Sequence, residues 1–89
     1  MSRPVIVESR FKRRFRHKTE QMRAAIEECV RQLAENERHP GLRVHRVSGA
    51  RDVWEAYIDG SNRITFHYDS VGRIVLRNHC NHDITKQSP

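Results

Sequence analysis

The sequence predicts an α+β fold: a short N-terminal strand, then two N-terminal helices packed on one face of a twisted antiparallel sheet. Three observations carry that reading. A β-branched run, Val5-Ile6-Val7, stands behind Pro4. From Met22 to Leu33 apolar residues recur at the spacing of one helix face. After Gly41 the period changes from about 3.6 to about 2 and keeps to it through several segments divided by short turns.

Val5–Val7 reads as a first strand, with Pro4 suited to a sheet edge because it has no N–H to donate. Phe11 and Phe15 stand four apart, so one face of the following turn or helix is aromatic and the rest basic. Thr19 is placed to cap the next helix. Met22 occupies the position where a Glu or Gln would complete a capping box. The helix then buries Met22, Ala25, Ile26, Cys29, Val30 and Leu33, and carries Glu20, Arg23, Glu27, Glu28, Arg31 and Glu35 outside. Asn36 to His39 and Pro40-Gly41 end it.

The strand candidates are Leu42–Val47, Val53–Asp59, Arg63–Tyr68 and Arg73–Arg77. The breaks after the first three are short and contain Gly49, Gly60 and Gly72, as hairpins between antiparallel neighbours require. Alternation sends Leu42, Val44, Trp54, Ala56, Ile58, Ile64, Phe66, Tyr68, Ile74 and Leu76 to a face that takes the helices. The other face gathers Arg43, His45, Glu55, Tyr57, Arg63, Thr65, His67 and Arg77. One solvated face is ordinary for an antiparallel sheet. One rich in Arg and His with few acids reads either as a plain solvated surface or as an anion-binding one.

The chain has 89 residues, enough for one domain over 1–89. A chain of that length hides roughly 60–65% of its unfolded surface, so its stability is marginal. Its apolar fraction of 36% is low, but the strong patterning argues for a folded core. No apolar run approaches the ~18 residues of a membrane span, and the N-terminus lacks the apolar core of a signal peptide, so the cytoplasm is the expected compartment. Cys29 and Cys80 make no disulfide framework, and Cys29 reads as a small buried hydrophobe.

The formal charge is +6, concentrated in an acid-free run from Arg10 to Lys18. Such a block on a small domain favours polyanions, because neutralised phosphates release counterions. Its plainer readings are a solvated helix face or a dock for an acidic protein.

Near the C-terminus stands Asn78-His79-Cys80-Asn81-His82-Asp83, with two histidines where a loop could return over the polar face. Histidine exchanges protons near neutrality. Cleaving RNA without a metal needs a base for the 2′-OH, an acid for the leaving 5′-oxygen, and cations for the phosphate. Arg63 suits the phosphate, which a guanidinium grips through two oxygens. His82 suits proton transfer, and His79 and Glu55 complete the candidate catalytic set. His79, Cys80 and His82 could in principle hold zinc, but the usual paired Cys/His spacing is missing, and no metal or other cofactor is expected. A Cys80 nucleophile would need a thiolate-stabilising environment and ranks lower.

Taken in order, these segments resemble the RelE/ParE superfamily over roughly Val5 to Ile84. His39-Pro40-Gly41-Leu42-Arg43-Val44-His45-Arg46-Val47-Ser48-Gly49 resembles the entry to that family's first meander strand. Val53 to Ile58 followed by Arg63-Ile64-Thr65-Phe66 is similar to its central hairpin, and Asn78 to Asp83 to its closing His motif. The resemblance implies a toxin of a type II toxin–antitoxin pair of the RelE/YoeB/YafQ kind. Such a toxin is a metal-independent endoribonuclease cleaving mRNA in the A site of the 70S ribosome, held silent by a cognate antitoxin. Arg63 matches the family's phosphate-stabilising arginine, and His82 the C-terminal histidine that serves as acid or base. Arg43, His45 and Arg46 lie where the family's basic residues approach RNA; Arg51, Tyr57, Arg77, Lys12 and Arg13 complete the expected RNA contacts. Asp83 departs from the pattern, standing where some members carry an aromatic residue that orients the nucleotide. The competing functions are a ParE-like gyrase inhibitor, a non-catalytic nucleic-acid-binding module, and an inactivated relative that still binds a partner. An antitoxin would present an acidic amphipathic segment, in a complex weakened by salt.

Overall fold

The computed structural model describes residues 3–81, with side chains as far as His79. Strand β1 (Val5–Val7) leads into helix α1 (Ser9–Arg16) and helix α2 (Glu20–Glu35). The sheet continues with β2 (His45–Arg46), β3 (Trp54–Tyr57), β4 (Asn62–Tyr68) and β5 (Ile74–Asn81). Its order is β1-β5-β4-β3-β2. The meander from β2 to β5 is antiparallel as expected, and β1 joins its outer edge parallel to β5, which makes the sheet mixed. Pro4 sits at that edge, where its carbonyl accepts from Ile74 N–H.

Each helix follows local rules. The Thr19 hydroxyl accepts from Met22 N–H at 3.1 Å and caps α2. Arg13, Arg14 and Arg16 crowd the last turn of α1, where the helix dipole favours cations. Both helices pack on one sheet face: Phe11, Ile26, Cys29 and Leu33 meet Ala56, Ile64, Phe66, Ile74 and Leu76 in one core. Each fully buried Leu, Ile or Phe there contributes about 1.5–3 kcal/mol. Cys29 is the buried hydrophobe expected, and burial pushes its thiol up to about 11, leaving it inert near neutrality. Among the described residues no helix is long and apolar enough to cross a membrane.

Two strand expectations are corrected. Leu42–Val47 is a strand only at His45–Arg46. Before it, Pro40–Leu42 forms one 3₁₀ turn, in which His39 Nδ1 accepts from Gly41 N–H at 3.1 Å, and Arg43 turns out of it at φ 48°. Proline opens such a turn readily, and the turn's own hydrogen bonds displace the ladder. Leu42 still reaches the core, buried from a turn. Conversely, β5 runs four residues beyond the expected Arg77, pairing Asn78 to Asn81 with Thr65 to Asn62. Polar side chains hid that extension.

The lengthened β5 contains a bulge. Thr65 pairs with Asn78 and Phe66 with Leu76, so Arg77 is an extra residue in the ladder. A bulge shifts the alternation by one, and so His79 opposes Ile64 and turns to the helix face.

Candidate nucleic-acid interface

The β2–β4 ladder assembles a polar cluster. His45 pairs with Glu55, Glu55 with Thr65, and Tyr57 with Arg63. Side chains of one register row share a face, so these residues converge. Glu55 is 1% exposed, with His45 Nε2 at 3.4 Å and Arg63 Nε at 3.5 Å from its Oε1. Burying a carboxyl group is costly unless polar partners replace its lost hydration, and these two side chains stand where they can. The guanidinium groups of Arg43 and Arg63 both lie over the Tyr57 ring, at 4.7 and 4.8 Å.

Arg63 is held from a second direction. Its Nη1 donates to the carbonyls of Asp59 and Asn62 at 2.6 and 2.9 Å. Those carbonyls are fixed by the β3–β4 turn, where Asp59 Oδ1 accepts from Ser61 N–H, Asn62 N–H and Asn62 Nδ2. The same donors, Asn62's side chain foremost, hold the Asp59 carboxyl below the usual range. The Asp-Gly-Ser-Asn sequence of that turn was the available signal for this support, which the reading of candidate site residues passed over. His45 is also anchored twice, with Nδ1 2.8 Å from the Arg43 carbonyl and Nε2 toward Glu55. Both ring nitrogens therefore face oxygen atoms.

Of the expected site residues, Arg43, His45, Glu55, Tyr57 and Arg63 come together. The expected solvated face holds at its rim, where Arg43 and His45 are exposed, but its centre is closed, with Glu55 and Thr65 buried. Arg77 stands farther along, its Nη1 3.0 Å from Nδ1 of His67. Arg46 lies elsewhere: its guanidinium is 5.1 Å over the ring of Trp54, which alternation places on the face opposite Glu55. Arg51 is almost fully exposed in the β2–β3 loop, 3.9 Å from Asp52. Lys12 and Arg13 are exposed on α1.

His79 does not join the cluster, which corrects its place in the catalytic set. Its ring packs edge-on against Phe11 at 4.5 Å and lies near Phe15, and among the described residues its Nε2 has no hydrogen-bond partner. Burial first, then the charges of Lys18 and Arg14, push its pKa down to about 4. The bulge at Arg77 is the reason: without it, His79 would face the polar side. His82 lies outside the described residues, as do the side chain of Cys80 and Asp83.

The arrangement of two helices on one face of a five-stranded sheet is similar to the fold of solved RelE and YafQ structures. A mutant of the E. coli toxin RelE in its free state superposes with a TM-score of 0.72 at 10% identity, covering 97% of this chain and 90% of that one. RelE–RelB from Pyrococcus horikoshii OT3 gives 0.71 at 13% identity, covering 91% and 96%. The E. coli DinJ–YafQ toxin–antitoxin complex gives 0.68 at 11% identity, covering 94% and 97%. No family model matches the chain, and no curated protein matches it in sequence.

Proposed function

We propose that the protein is the toxin of a type II toxin–antitoxin pair, a cytoplasmic endoribonuclease that cleaves mRNA on the ribosome and is silenced by its antitoxin. The observation that carries this reading is the cluster of Arg43, His45 and Arg63 around buried Glu55 and Tyr57, set on a RelE-type fold. Arg63 holds the scissile phosphate through its guanidinium and stabilises the charge that grows there. His45 gives its proton to the departing 5′-oxygen. His82 takes the proton from the 2′-OH, whose oxygen attacks phosphorus as the P–O5′ bond breaks, leaving a 2′,3′-cyclic phosphate and a 5′-OH. Glu55 is too deep to meet the substrate and acts as a positioning residue, orienting Arg63 and His45. Tyr57 offers its ring to a base.

The antitoxin's place is suggested by a groove of about 730 Å³ between α1 and α2. Phe11, Phe15, Ile26 and Val30 line it and Lys12 and Arg16 border it, which suits an acidic amphipathic segment.

The test is induced expression followed by growth and mRNA mapping, with wild type beside Arg63→Lys and His82→Ala. Lysine keeps the charge near Glu55 but loses the planar fork. Growth arrest with mapped cuts, lost in both folded variants, is expected. Arrest with intact mRNA would move the reading to a gyrase-type toxin, and neither arrest nor cutting from soluble wild type would end it.

A further inference from the structure

At the far end of α2, on the helix side of the sheet, lies a second cleft of about 580 Å³. Its floor is aromatic. Trp54 on β3 and Tyr68 on β4 meet edge to face, with ring centres 6.4 Å apart. Its walls carry guanidinium groups: Arg3 lies 5.3 Å over Tyr68, and Arg38 and Arg43 line the other side beside His39. Arg46 lies over Trp54 from β2. The acid among the lining residues is Glu37, and Arg3 engages it at 3.0 Å, so it offers little charge to oppose an incoming anion. Arg38, Arg43 and Arg46 are exposed.

Aromatic rings beside unbalanced guanidinium groups suit single-stranded nucleic acid, in which every base has a face to stack and every linkage a phosphate to pair. An acidic peptide would use the same cations but carries no planar base at each anionic unit to stack on the indole ring. The cleft is also continuous with the cluster on the other face. Arg43 lines the cleft while its guanidinium lies over Tyr57, so it bridges the two across the short β2 edge.

We propose that this cleft is a second subsite for single-stranded RNA, taking a nucleotide that flanks the scissile phosphate, with its base against Trp54 and its phosphate on Arg38 and Arg46. The proposal rests on the RNA-cleaving reading above and extends it: the strand leaves Tyr57 and Arg63, passes Arg43 at the sheet edge, and continues behind it. Length of substrate, and not only the bond cleaved, then contributes to recognition.

Trp54 is the single tryptophan of the chain and reports on the cleft directly. The probe is a 2′-O-methyl uridine octamer, which cannot be cleaved by 2′-OH attack, compared with the corresponding dinucleotide. Octamer binding is expected to quench Trp54 fluorescence saturably and to be roughly tenfold or more tighter than dinucleotide binding, as one extra base stack provides. Arg38→Glu should remove most of that advantage while leaving dinucleotide affinity unchanged, and Trp54→Phe should weaken the octamer in a protein that still folds. Octamer binding that leaves Trp54 fluorescence and the Arg38→Glu affinity unaltered overturns the cleft while RNA cleavage stands. Equal quenching by poly-glutamate of matched charge also overturns it, making the cleft a dock for acidic protein. If wild type neither binds the octamer nor cuts RNA, the RNA reading falls and takes the cleft with it.

Discussion

His45 and His79 stand on strands of one sheet and meet opposite physics. The His45 side chain is about half exposed, at 53%, and each ring nitrogen has an oxygen facing it. His79 is 1% exposed between aromatic rings, with one nitrogen lacking a hydrogen-bond partner among the described residues. Burial in the second environment disfavours a proton on His79, and the neighbouring charges of Lys18 and Arg14 add to the effect. A hydrogen bond from the ring to the Phe11 backbone carbonyl works the other way without offsetting burial. Residue type therefore assigns neither histidine its role. The polar face gathers paired charge that a substrate can use, and the helix face excludes charge to hold the core.

That contrast can be broken by exchanging the tests. His45→Gln should lower RNA cleavage by about 10²–10⁴-fold, the range for a positioned proton donor, with little change in urea midpoint. Cleavage at wild-type rate would remove His45 from the chemistry. On the other face, Phe11→Ala should cost about 4 kcal/mol, because it empties a site packed against His79 and the core. A loss below about 1 kcal/mol would mean that α1 is not anchored there.

The next effect is smaller and depends on pH. The folded protein holds His79 at about 4, below its ordinary value of 6.5, so the unfolded chain takes up the proton first. The stabilisation is complete above about pH 6.5 and drains away as pH falls toward 4, by up to ~3 kcal/mol. His79→Leu should flatten that part of the profile in denaturant titrations at pH 7, 5.5 and 4.5. An unchanged slope would place the acid sensitivity elsewhere. Smallest is Thr19→Ala, which removes the bond to Met22 N–H and should cost ~1 kcal/mol of thermal stability.

Much of this contrast was legible in the residues. The apolar series of α2 is borne out by buried Ile26, Cys29 and Leu33, and the alternation of β3 and β4 by buried Ala56, Ile64 and Phe66. Arg63, Tyr57 and Glu55 shared a predicted face, and they meet on it. What failed has specific causes. Leu42 sits in a turn because Pro40 and His39 make local hydrogen bonds that compete with a strand. Arg46 stands apart from Arg43 and His45 because its neighbour in register is Trp54, and its guanidinium lies over that ring on the opposite face. His79 turned from the polar face because one extra residue at Arg77 reversed the alternation.

By itself the sequence determined the class of fold, the helix and its cap, the faces of β3 and β4, and the basic character of the surface. These follow from periodicity, capping chemistry and charge, which act between near neighbours in the chain. Only the tertiary structure decided that β1 runs parallel to β5, that Glu55 is buried beside Arg63 and His45, and that His79 is enclosed while His45 stays accessible. Those outcomes depend on register and desolvation, set by residues far apart in sequence, and one bulge is enough to send a side chain from solvent to core.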